Sequence, residues 1–164
     1  MSLHFSGLSV GLAIGWIVLL SAVGAALTKL DAWYYQLRQP SWKPPDWLFA
    51  PAWTTIFLCA AFAFALAWNA PGADRDRRMQ LTSVYILNGI LNAVWSALFF
   101  RAQRPDWSLV EVPALWLTIL AMMQVVGSVS PRGALLLLPY LLWVAFAAVL
   151  NRAVVRLNRP FAFP

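Results

Sequence analysis

The chain has 164 residues, of which 62% are hydrophobic and 11% charged, with a mean hydropathy of +0.69 and a formal net charge of +6. Soluble globular chains average roughly 45–50% apolar and about 25% charged residues, and a greasy soluble bundle would still need helices with a charged face, which these segments lack. The cations punctuate loops and build no basic face that could track phosphates, so the composition predicts a membrane protein and no nucleic-acid partner.

A bilayer core about 30 Å thick takes about 20 apolar residues at a rise of about 1.5 Å each. Five segments meet that length, at 5–28, 46–69, 79–100, 107–129 and 131–150, and they predict an all-α integral membrane protein, a five-transmembrane-helix bundle forming one domain over 1–164. The first segment lacks a basic leader and outruns the usual apolar stretch of a signal peptide, so it reads as a retained helix. It carries Gly7, Gly11 and Gly15 at every fourth position, a pattern that lets helix backbones approach closely.

Between the first two segments lies a lid-like loop, 29–46, entering the sequence WYYQLRQPSWKPPDWLF. Its proline density blocks continuous helix or sheet, while Trp33, Trp42 and Trp47, with Trp53 just beyond, are costly to leave in water. A shaped cover at the membrane surface is expected. Pro71-Gly72 and the charged run Asp74 to Arg78 read as the close of the second helix, and Arg101 to Pro105 as the break between the third and fourth. Ser130-Pro131 reads as the cap and first-turn proline of the fifth.

On the third helix Asn88, Asn92, Trp95 and Phe99 share one face, and unpaired amides in hydrocarbon are expensive, so this face should point into the bundle or a cavity. Tyr140, Trp143, Ala147 and Asn151 make a similar stripe on the fifth helix, a candidate second cavity wall. Gly89, Ala93 and Ala97 form a small-residue stripe beside the amides, a candidate interface for a homodimer. Lys and Arg divide eight against four between the two sides, with the lid, the 101–104 loop and the C-terminus on the richer one, which places that side in the cytoplasm.

Catalytic chemistry is sparse. The single histidine, His4, is N-terminal and the single cysteine, Cys59, is mid-helix, so the residues offer no disulfide, metal centre or Cys–His nucleophile. Glu111 is the one acid away from a loop, at an ordinary place in the first turns of the fourth helix.

WYYQLRQPSWKPPDWLFAPAW (33–53), LNGILNAVWSALFF (87–100) and LLPYLLWVAFAAVLN (137–151), in this order and spacing, resemble the TspO/MBR family, the tryptophan-rich sensory proteins and mitochondrial translocator proteins, also called peripheral-type benzodiazepine receptors. The resemblance covers nearly the whole chain. It implies a five-helix membrane protein, usually homodimeric, that binds porphyrins such as protoporphyrin IX and synthetic isoquinoline or benzodiazepine ligands, needing no cofactor. The family's ligand positions fall on Trp33, Tyr34, Trp53, Asn88, Asn92, Tyr140 and Trp143, and Trp95 joins them through its stripe. Cholesterol binding in animal members rests on a motif with a cation soon after the tyrosine; here Tyr140 is followed by apolar residues up to Asn151 and Arg152, so sterol is not expected.

Aromatic side chains can cover a flat porphyrin, and Lys29, Arg38 and Lys43 are candidates to meet its propionates. Without a buried histidine a metal-free tetrapyrrole suits the chain better than haem on an axial histidine. Three functions are compatible: a tetrapyrrole-binding sensor, carrier or regulator; light- and oxygen-dependent porphyrin degradation with Trp53 and Trp143 as electron donors, which the resemblance implies; and passive transport of tetrapyrroles or small amphiphiles. Helical spans favour a bacterial inner membrane, whereas the resemblance also admits an outer one.

Overall fold

The computed structural model describes residues 5–161; His4 lies outside them. Seven α-helices follow in order: α1 (Gly7–Leu27), α2 (Ala32–Gln36), α3 (Phe49–Trp68), α4 (Arg75–Ser96), α5 (Pro105–Gly127), α6 (Pro131–Leu135) and α7 (Leu138–Asn158). With a 3₁₀ turn at Asp46–Leu48 leading into α3, a π turn at Ala97–Arg101 ending α4, and α6 and α7 together forming one crossing, five helical units are long and apolar enough to span a membrane. The protein is a multi-pass integral membrane protein.

The helices form a closed ring. α1 packs on α3, α3 on α7, α7 on α5, α5 on α4, and α4 returns to α1. Outward positions are apolar as lipid requires: Leu8, Ile14, Val18 and Leu19 of α1 are all more than half exposed. One end is tied by Asn69, which accepts from the Ser6 backbone (2.9 Å) and donates to Ser9 Oγ (2.8 Å). At the other end Arg101 donates to the Ala26 carbonyl, closing α4 against the end of α1.

Three boundaries differ from the sequence expectation. The run 74–78 does not close the second helix; Asp74 caps α4, its Oδ1 accepting from the Arg77 amide (2.8 Å), so α4 starts at Arg75 rather than Met79. The fifth segment is not continuous over 131–150. It breaks at Leu136–Leu137 and then runs to Asn158, because Pro139 has no N–H to give and its ring collides with the carbonyl four residues back. The loop 29–46 also contains helix: Asp31 caps the single turn α2, accepting from the Tyr34 amide (3.2 Å), before the prolines begin.

Candidate functional site

The centre of the bundle holds a hydrogen-bond chain that crosses three helices. Asn92 Nδ2 donates to the Tyr140 hydroxyl (3.1 Å), which donates to Asn88 Oδ1 (2.9 Å); Asn88 Nδ2 donates to Thr118 Oγ1 (3.0 Å), which donates to the Leu115 carbonyl (2.6 Å). All four side chains are buried, Asn88 completely. The direction is fixed by chemistry, because an amide nitrogen can only donate and a hydroxyl can do both. Each link spares a polar group from facing hydrocarbon, so the chain locks α4, α5 and α7 in register.

Aromatic rings enclose this chain. Trp53 meets Tyr140 edge-on at 5.9 Å and lies 5.3 Å from Phe57, which itself meets Trp16 at 5.6 Å. Trp16 is fixed by its indole N–H, which donates to the Tyr85 carbonyl (3.1 Å). One turn beyond Tyr140, half-buried Trp143 packs edge-on against Phe49 (5.7 Å) and leans on Phe146 (5.5 Å). Four polar atoms in the membrane-spanning segments are buried without a hydrogen-bond partner: Nε1 of Trp95, Nε1 of Trp116 and both carboxyl oxygens of Glu111. Such groups are expected to be filled in the folded state or by a bound molecule.

The lid sits over the end of α4 and the C-terminal half of α7, from Phe146 to Asn158. In the π turn that ends α4, Phe99 is buried and Phe100 half-buried, and both rings meet the aromatic residues of the lid. Phe99 stacks on Trp95 (5.3 Å) and meets Trp33 (6.2 Å), and Phe100 meets Tyr34 (5.9 Å). Tyr34 donates to Asp46 Oδ1 (2.8 Å), the same oxygen that pairs with Lys43, whose ammonium also lies over the Tyr34 ring at 5.4 Å. Burial first, then the Asp46 hydrogen bond, raises the Tyr34 hydroxyl above its ordinary pKa, so it stays a donor. Farther along, Trp42 rests on Phe146 (6.0 Å), and Arg38 exchanges two backbone bonds with Asn158: its N–H donates to Oδ1 (2.8 Å) and its carbonyl accepts from Nδ2 (2.9 Å).

The structure thus joins Trp53, Asn88 and Asn92 through Tyr140, joins Trp33 to Trp95 through Phe99, and sets Tyr34 against Asp46 and Lys43 in the lid. Lys29 and Arg38 are exposed, whereas Lys43 is already paired with Asp46. Gly89 packs within the chain: a Cβ there would come within 3.2 Å of Leu20 Cδ2 and 3.5 Å of Trp16 Nε1, so the glycine serves the α1–α4 contact. Ala93 and Ala97 on the same stripe are half-buried. Asn151 does not extend the cavity wall; its amide lies 2.8 Å from Ser108 Oγ and fastens α7 to the first turn of α5. Sequence reasoning passed over Thr118, Phe57, Asp46 and Asn158. Thr118 is a lone hydroxyl in an apolar run, a usable signal; the partners of Asp46 and Asn158 are not, since they depend on how the lid folds back.

The TspO/MBR family model matches residues 9–157. The tryptophan-rich protein TspO of Chlorobaculum tepidum is 37% identical over 92% of this chain and 96% of its own length. The translocator protein of Homo sapiens is 34% identical over 77% of this chain and 75% of its own, and the tryptophan-rich sensory protein of Cereibacter sphaeroides is 31% identical over 87% and 90%. A ring of five membrane-crossing helices under a tryptophan-bearing lid, matched from α1 to the end of α7, makes this chain a member of the TspO/MBR family.

Proposed function

We propose that the protein is a membrane-embedded porphyrin-binding sensor, carrier or regulator, taking a protoporphyrin-like tetrapyrrole beneath the lid between α1, α3, α4 and α7. The observation that carries this reading is the junction of Trp53 and Tyr140 with the Asn88 and Asn92 amides, where aromatic faces meet a fixed polar chain. A tetrapyrrole offers what those groups can use: a flat π-surface for the rings and polar pyrrole nitrogens for the amides. The relatives' names, sensory and translocator proteins, fit a signalling or carrier role in the membrane.

Entry under the lid requires the Tyr34–Asp46–Lys43 latch and the Arg38–Asn158 pair to part. Exposed Lys29 and Arg38 then receive propionates at the membrane surface, and Lys43 joins them by exchanging Asp46 for a ligand carboxylate. The test is a protoporphyrin IX titration of the purified chain in detergent, read by tryptophan quenching. Trp53→Phe and Trp143→Phe should each weaken binding by about 2- to 10-fold, the value of one aromatic contact. Unchanged affinity in both variants would remove the assigned site.

A further inference from the structure

At the end of the bundle away from the lid, a groove on the lipid-facing side runs from the corner between α3 and α4 to the seam of α1, α3 and α4. Its inner part, about 280 Å³, is lined by Gly11 and Gly15 of α1, Ala61 and Phe64 of α3, and Thr82 and Tyr85 of α4. Its outer part, about 520 Å³, is lined by Trp68, Asp74, Arg75, Arg78 and again Thr82. The two parts adjoin at Thr82, which lines both, and Trp68 of the outer part stacks on Phe64 of the inner part at 5.5 Å.

Gly11 and Gly15 are not used for close helix contact. A Cβ at either would meet nothing within 4 Å, in contrast to Gly89, so their smallness leaves open space on an apolar wall. The outer part is cationic and ordered. Arg78 Nε donates to the Trp68 carbonyl (3.2 Å) and its guanidinium lies over the Trp68 ring at 5.4 Å, while its terminal nitrogens have no acceptor among the described residues. The one carboxylate in the lining, Asp74, is committed to capping α4. Along α4 the lining therefore passes from arginine at 75 and 78, through Thr82, to Tyr85 and Ile86 within about 17 Å of helix.

We propose that this groove binds an anionic membrane phospholipid, with the phosphate at Arg75 and Arg78 and one acyl chain lying over Gly11 and Gly15 beside Phe64. The order of charge and apolar surface along the groove is that of such a lipid, head outward and chain inward. Arginine suits a phosphate because its planar fork offers paired donors. A second copy packed here about a twofold axis along the membrane normal would instead bring two Arg75–Arg78 clusters to the same membrane face, like charge against like.

The test is native mass spectrometry of the full chain in detergent, titrated with phosphatidylglycerol or phosphatidylcholine of the same acyl chains. Phosphatidylglycerol should bind more tightly by roughly fivefold per arginine engaged. Arg75→Gln with Arg78→Gln, both surface changes, should bring it to the phosphatidylcholine level, and Gly15→Leu should lower retention of both lipids by filling the chain's place. Equal retention of the two lipids by the unaltered chain, or a preference unchanged in the double arginine variant, overturns the proposal. So does efficient disulfide cross-linking of Gly15→Cys chains, in a Cys59→Ser background in bilayers, combined with lipid retention that Gly15→Leu leaves intact, since the groove would then hold a second copy.

Discussion

Replacing Tyr140 by phenylalanine keeps the ring that faces Trp53 and removes one oxygen from the middle of the chain that ties α4 to α7. Two hydrogen bonds go, at 3.1 Å from Asn92 and 2.9 Å to Asn88, and one buried donor and one buried acceptor are left without partners. Bonds between membrane helices average about 0.6 kcal/mol with a ceiling of about 1.7 kcal/mol, so the pair contributes about 1 kcal/mol, and orphaning the amides adds about 1 kcal/mol more. A loss of about 2 kcal/mol lowers the melting temperature of a chain this size by about 4–8 °C. Thermal unfolding in detergent, followed by circular dichroism, measures it. Asn92→Leu removes the upstream donor, so the double variant with Tyr140→Phe should be less destabilised than the sum of the two single changes, by about 0.6–1.7 kcal/mol. A Tyr140→Phe chain that melts with the unaltered one, or a double variant that is strictly additive, would refute the claim that this chain holds the helices in register.

Glu111→Leu should stabilise the protein, because it removes a buried carboxyl with no partner in favour of an apolar side chain, while weakening protoporphyrin binding if the carboxyl serves the ligand; a destabilised variant would show that the carboxyl already has a structural partner. Gly89→Leu should cost about 1–3 kcal/mol by overpacking Leu20 and Trp16, whereas Gly15→Leu, which meets open space, should leave the melting temperature unchanged; equal effects would contradict the different environments of the two glycines. Asp46→Asn and Asn158→Ala each loosen the lid latch, and faster amide exchange over 33–46 should report it, with unchanged exchange ruling out these contacts as the closure. Illuminating the protein with protoporphyrin IX in air separates binding from turnover: degradation that depends on Trp53 and Trp143 would establish an enzyme, and decay at the same rate without protein would leave binding alone.

Much of this architecture follows from local rules that a sequence exposes. The length of an apolar run decides whether it crosses a bilayer, and the four-residue spacing of Asn88 and Asn92 forces both amides to one face; the structure closes them on Tyr140 from a stripe identified in the same way. What escaped depends on geometry that local rules do not carry. The π turn at Ala97–Arg101 is a register choice within one helix that no local sequence rule marks. Charged residues between apolar runs look like loop, yet Asp74 is a cap and Arg75 to Arg78 are helix, because a span that continues past the membrane surface can carry charge there. Gly89, read from spacing as a contact between copies, packs against Leu20 within one chain, since a small-residue stripe specifies close approach without naming the partner. The latch of Tyr34, Lys43 and Asp46 joins residues whose proximity the prolines at 40, 44 and 45 create.

Whether the ligand lies under the lid against the Asn–Tyr chain is read by hydrogen–deuterium exchange of the full chain in detergent, with and without protoporphyrin IX. Porphyrin should add protection in 33–49, around Asn88 to Trp95 and around Tyr140 to Trp143, with none at Gly11 to Gly15 or Arg75 to Thr82. Protection confined to the outer groove, or absent while porphyrin is demonstrably bound, would contradict that position.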